Sequence, residues 1–326
     1  MDKRKVILDV DTGSDDAVAI MTALLSPELE VLGICTVNGN RCIEMTTENT
    51  LRVVEYLGSD VPVFKGCHLP LVSSLTPGRR PHMPFTGQED PEENVHSDYL
   101  DYLPAATIQP QRQNAVSWLV DTLMASDGDI TLIPVGPLTN IAMVLRADPT
   151  VVENIEEIVI MGGGHTERNS TAAAEFNIWK DPEAAEIVLT CGAKVVLVPL
   201  DATHKASTRL EEAQLYRDLH TPVGEMVAQL IEIRTRAYNL LQPLHEPDLC
   251  PIHDALCVAY VIDPSVLPGL LHTRVDVDIS GGFADGQTIV DTRKLHNLPD
   301  NCWVALDADR DKFNRMLLDI CARYSR

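Results

Sequence analysis

The chain has 326 residues, 45% hydrophobic and 5% aromatic, with 48 acidic against 26 basic side chains and a formal charge of -22. Such a surface repels phosphate backbones and anionic lipid, which argues against nucleic-acid or membrane partners and leaves cations and neutral small molecules. The first apolar run, residues 6–8, is too short for the core of a signal peptide, and no stretch reaches the roughly 18 apolar residues of a membrane span.

In chain order, 6–8 reads as a buried strand ending in acidic residues and Gly13, and 17–25 as a helix stopped by Ser26-Pro27. Residues 31–37 are β-branched and close on Asn38-Gly39-Asn40, and 43–57 carry helical spacing up to Gly58. A third short strand follows at 61–64. Residues 68–110, rich in proline and acids, interrupt this rhythm as a long flap. Alternation resumes with helix 114–125, strand 130–135, helix 138–146, strand 155–161, loop 162–180, helix 181–191 and strand 195–200. Two helices are expected over 209–238, another over 253–262, a strand-rich stretch over 275–306, and a closing amphipathic helix over 309–324. The pattern predicts an α/β fold: an open, mostly parallel, Rossmann-like sheet flanked by helices, with a small extra strand-rich region near the C-terminus. With no linker and no repeat, residues 1–326 read as one domain. Eight scattered cysteines, none in a C-x-x-C pair, suit reduced core thiols of a cytoplasmic protein.

In such sheets ligands bind beyond the carboxyl ends of the strands, so the segments just after strands are where chemistry belongs. The first of them places Asp9, Asp11, Asp15 and Asp16 within eight residues. Unneutralised carboxylates that close together are costly, and a hard divalent cation such as calcium or magnesium removes the cost. Asp15 or Asp16 could instead only cap the helix that follows, but capping uses one or two acids, not four. Asp9-Val10-Asp11-Thr12 after an apolar strand also resembles the opening of haloacid-dehalogenase-like phosphatases, with Asp9 as nucleophile. The later Gly-Asp-x-x-x-Asp segment of those enzymes has no counterpart, since Gly128-Asp129 runs into Ile-Thr-Leu-Ile.

The ordered set of later motifs resembles a different family. Asp9-x-Asp11-x-x-x-Asp15-Asp16 is followed by Val37-Asn38-Gly39-Asn40, Val135-Gly136-Pro137-Leu138-Thr139-Asn140, Met161-Gly162-Gly163-Gly164, Asn169, Ala174-Glu175-Phe176-Asn177 and Ile252-His253-Asp254. Together these resemble the nucleoside hydrolases of the inosine-uridine-preferring family, nearly end to end. The resemblance implies calcium-dependent hydrolysis of the N-glycosidic bond of ribonucleosides to ribose and free base. It implies calcium ligation by Asp11, Asp16, Asp254 and the Val135 carbonyl, with Asp15 bridging metal and ribose, and Asp9 in support. It implies ribose contacts from Asn40, Met161, Asn169, Glu175 and Asn177. Asp11 would take the proton of the attacking water and His253 would assist departure of the base. A cytoplasmic homodimer or homotetramer is the family's expectation.

These residue types suit the reaction. N-ribosyl cleavage needs an activated water, stabilisation of an oxocarbenium-like sugar and a proton for the leaving base. Glu175 and Asn177, two apart on an expected extended segment, would point the same way toward a polyol. The imidazole of His253 titrates near working pH. The sequence departs from the family on the base side. His82 in the flap and Tyr238 before His253 are the candidates there, and the stretch 238–247 differs most. A metal-dependent phosphatase and a non-catalytic nucleoside-binding protein stand as alternative readings.

Overall fold

The computed structural model describes residues 3–76, 79, 98–295 and 297–324. The first half alternates strand and helix as β1 (Arg4–Val10), α1 (Ser14–Leu25), β2 (Leu29–Thr36), α2 (Ile43–Tyr56), β3 (Val63–Lys65), α3 (Ala115–Met124), β4 (Ile130–Pro134) and α4 (Thr139–Ala147). It continues with β5 (Ile155–Met161), α5 (Phe176–Lys180), α6 (Pro182–Leu189) and β6 (Val195–Val198). Then come α7 (Leu200–Thr203), β7 (Thr208–Arg209), α8 (Ala213–Arg217), α9 (Pro222–Leu241), β8 (Leu249–Cys250) and α10 (His253–Ile262). The chain ends with β9 (Leu271–Thr273), β10 (Val275–Val277), β11 (Thr288–Val290), β12 (Cys302–Val304) and α11 (Arg310–Ala322).

The main sheet has eight strands in the order β3-β2-β1-β4-β5-β6-β12-β9, all parallel except the β12–β9 pair. The order reverses at β1, whose two sides carry β2 and β4, so the switch point lies beside the Asp9 to Asp16 segment. Side-chain alternation divides the strands between two cores. Val6, Leu8, Val10, Ile133, Val135, Val159, Met161, Val196 and Val198 face one core with α1, α9, α10 and α11. Ile7, Leu132, Ile158, Ile160, Val195 and Leu197 face the other with α3, α4 and α6. Strands buried on both faces explain the unbroken apolar runs that mark them in the sequence. The expected strand-rich region becomes the β10–β11 hairpin together with β12, which joins the main sheet.

Two expectations need correction. The stretch over 162–180 is not all loop, because α5 starts at Phe176. Glu175 and Asn177 are therefore the N-cap and second residue of a helix, not alternate positions on an extended segment. The cause is local: the Glu175 carboxylate accepts the backbone N–H groups of Asn177 and Ile178, which closes the turn. At the start of the 68–110 flap, Leu71 donates to Asp181 and Arg79 pairs with Glu183 and Asp285, while its far end lies on α2. Asn49 bonds to the backbone of Asp98 and Leu100, and Glu55 accepts from Thr107 and Ile108. His82 lies outside the described residues.

Candidate active site

Two helix N-termini, those of α1 and α10, meet beyond the end of β1 and bring together acids more than two hundred residues apart in sequence. Asp15, Asp16 and Asp254 each offer a carboxylate oxygen within 4.8 Å of the other two, and all three are buried. Asp16 is oriented by its own turn: its oxygens accept the N–H groups of Asp11 (3.1 Å) and Gly13 (2.9 Å). The capping reading is thus half right, since Asp16 caps α1 and also joins the cluster. The positive ends of both helices favour negative charge here.

Asp11 stands beside this trio. Its Oδ2 accepts the Asn40 N–H at 2.6 Å, and the Asn40 side-chain amide donates to the Asp11 carbonyl at 3.2 Å. Gly39 and Gly136 hold it from either side: a Cβ on Gly39 would come within 2.0 Å of Asp11 Oδ2, and one on Gly136 within 2.7 Å of Oδ1. Glycine is required at both positions by this close approach. Burial, then the charge of Asp16, pushes the Asp11 carboxyl well above its ordinary range. Burial pushes Asp16 up to about 7 with Asp15 adding to it, and Asp254 is raised by burial and then by its acidic neighbours.

Buried carboxylates packed this closely could hold a cation, which would favour their ionised forms. One buried cationic side chain is already paired with the cluster. Arg234, 1% exposed, donates from Nη1 to Asp15 Oδ1 and to Ser14 Oγ, both at 2.7 Å, and from Nε to the Pro251 carbonyl at 3.2 Å. Lys180, 4% exposed, is the nearby charge that favours ionised Asp11. The carboxylates outnumber the one guanidinium paired with them, and a divalent cation would offset the remainder. Oxygen donors without thiol or imidazole among them suit calcium or magnesium.

Around the cluster the other expected residues take up defined positions. The Asn177 amide donates to the Val135 carbonyl at 2.8 Å and to the Met161 carbonyl at 3.2 Å, so three expected site residues meet there. Glu175 also accepts the Gly163 N–H at 2.9 Å, and burial raises its carboxyl to about 7. Asn169 accepts the Phe176 N–H at 2.9 Å. Asp9 is buried, with Oδ1 accepting from Asn140 at 2.7 Å and Oδ2 without a hydrogen-bond partner among the described residues.

On the far side of Asp254, His253 is held by two hydroxyls: Nε2 pairs with Tyr238 Oη and Nδ1 with Thr203 Oγ1, each at 2.6 Å. Tyr238, Asn169, His204, Gln242 and His245 line an open cavity of about 530 Å³. His204 is mostly buried, which holds its pKa below the ordinary value. Tyr238 thus stands between His253 and the cavity. Trp179 is buried against Gly286 and is a packing residue. Arg234, Lys180 and Thr203 were not expected from sequence. For Arg234 a signal existed: with Val227, Leu230, Ile231 and Tyr238 it falls on the apolar stripe of α9, an unusual place for arginine.

Comparison with known proteins agrees with this geometry. Residues 6–315 match the family described as inosine-uridine preferring nucleoside hydrolase. The chain is 37% identical over 318 residues to proteins named pyrimidine-specific ribonucleoside hydrolase RihB from Escherichia coli O157:H7 and from Shigella sonnei. In both cases 96% of this chain and 95% of the relative are covered. Among solved structures, the purine-preferring ribonucleoside hydrolase from Gardnerella vaginalis superposes with a TM-score of 0.87 at 30% identity, covering 98% of this chain and 99% of that one.

Proposed function

The chain belongs to the inosine-uridine preferring nucleoside hydrolase family and hydrolyses N-glycosidic bonds of nucleosides, and on that premise we propose that it does so with a calcium ion held by its buried carboxylates. Asp15, Asp16 and Asp254 form the core of the metal site, with Asp11 and the Val135 carbonyl at its edge. A bound divalent ion supplies a positive centre that makes water more acidic and orients it. Asp11, fixed by Asn40 between Gly39 and Gly136, takes the proton from the attacking water. Asn40, Met161, Asn169, Glu175 and Asn177 surround the ribose and orient it. His253 gives up a proton to the departing base, with Tyr238 as the hydroxyl that carries its Nε2 side to the cavity wall.

The observation that carries this reading is the meeting of the four-carboxylate cluster with an imidazole on the adjacent residue of α10. The polar cavity beside Tyr238 and His204 receives the base. Relatives named for pyrimidine and for purine preference both resemble the chain, so the resemblance alone does not choose the base. The test is a panel of uridine, cytidine, inosine and adenosine with added calcium and detection of free ribose. Ribose from at least one is expected, and none from any would overturn the reading. A non-catalytic binder would instead hold nucleoside tightly over hours with no product. We also read residues 1–326 as one domain in a cytoplasmic homodimer or homotetramer. Eight free thiols support a reducing compartment, and no helix among the described residues is long and apolar enough to cross a membrane.

A further inference from the structure

Neither the chemistry of ribosyl transfer nor ligand count calls for Arg234, the guanidinium paired with the cluster. It is a fully buried guanidinium on α9, an element that packs beside α1 but supplies no carboxylate to the site. Its bonds join the two halves of the metal site. Nη1 holds Ser14 and Asp15 at the start of α1, while Nε holds the Pro251 carbonyl just ahead of His253 and Asp254. One turn further along α9, Tyr238 lies under the guanidinium at 5.4 Å and reaches His253. A guanidinium cannot shed its proton, so this charge is permanent.

We propose that Arg234 is a built-in counter-cation that sets the charge of the carboxylate cluster, and with it the valence of the ion the cluster selects. Arg234 offsets one carboxylate charge of the cluster, and a bound cation fills the deficit that is left. Without Arg234 the deficit grows by one charge, and a trivalent ion of similar size gains over calcium. Arg234 also satisfies one oxygen of Asp15, which leaves the other to the metal or to a sugar hydroxyl. In this role it is a positioning residue and touches no reacting atom.

This inference rests on the metal reading above, and one titration separates the two. Calcium-loaded protein is titrated with terbium, an ion of calcium-like size and one more charge, and displacement is followed by sensitised terbium luminescence. Starting from calcium-loaded protein keeps a variant that is unstable without metal folded. In Arg234→Gln the terbium preference over calcium is expected to rise at least about tenfold, since a whole charge is lost at contact distance. Arg234→Lys retains the charge and stays within about threefold of the parent. The double variant Arg234→Gln with Asp15→Asn loses one charge of each sign, leaves the deficit unchanged and returns toward the parent's preference. A ratio unmoved in Arg234→Gln, or both ions weakened in parallel, overturns the counter-cation role and leaves the metal reading standing. An unmodified protein that binds neither ion overturns both.

Discussion

At the scale of residues, the site is a set of groups each tied down before any substrate arrives. His253 is the clearest case, since both ring nitrogens are engaged and the imidazole has no freedom to swing. His253→Ala should cut turnover of natural ribonucleosides by about 10²–10⁴, the usual worth of a general acid. It should slow a p-nitrophenyl riboside, whose leaving group needs no proton, by far less; equal slowing of both would rule out the acid role. Tyr238→Phe should reproduce part of the same pattern, because the hydroxyl between His253 and the cavity is then gone. Glu175 allows a test by pH. Its folded value of about 7 lies above the ordinary 4.5, so its share of stability is complete below about 4.5 and lost as pH rises through 7. With saturating calcium, the parent should lose on the order of 3 kcal/mol more than Glu175→Gln between pH 4.5 and 8. Parallel stability profiles would show that Glu175 ionises no differently in the folded chain.

At the scale of elements, what the sequence reveals depends on how far apart the partners are. Asp9, Asp11, Asp15 and Asp16 are legible because one strand, one turn and one helix start place them together. Asp254 is legible only through resemblance, since its approach depends on α1 and α10 packing. Glu175 and Asn177 carry the residue types proposed for the site, yet their backbone is misread, because a five-residue helix leaves no periodic signal and its cap is the glutamate itself. The partner of Asp15 could not be read at all: nothing in the local composition of α9 says which acid 219 positions away its arginine meets. The strand ends nevertheless act as rigid rails. Gly136, just past β4, leaves room for Asp11. Gly136→Ala should lower kcat by about 10²-fold through displacement of that carboxylate. A drop of only a few degrees in Tm should accompany it. Full activity in a folded Gly136→Ala protein would show that Asp11 need not sit where it does.

For the whole molecule, the parallel sheet supplies two apolar cores, and their interior needs no cation to exist. In the carboxylate cluster, folding alone brings several like charges together with a single paired guanidinium. Removing divalent ions with a chelator should therefore lower Tm without unfolding the protein at room temperature. Calcium at about a hundred times its dissociation constant should restore about 2.7 kcal/mol. A melting curve indifferent to chelator and calcium would mean that the cluster holds no ion. A reductant should leave Tm unchanged, since all eight cysteines are free.

The distance along the chain between the two halves of the metal site also sets a clock. About 240 residues separate Asp11 from Asp254, and α11, which packs against α1 through Cys321 and Met21, comes later still. At ordinary ribosomal speeds of roughly 5–20 residues per second, the acidic tip of β1 waits some 12–50 s for its partners. During that interval the nascent chain has neither Arg234 nor Asp254 to complete the site. On the proposed metal reading, the site is complete only when synthesis is nearly over.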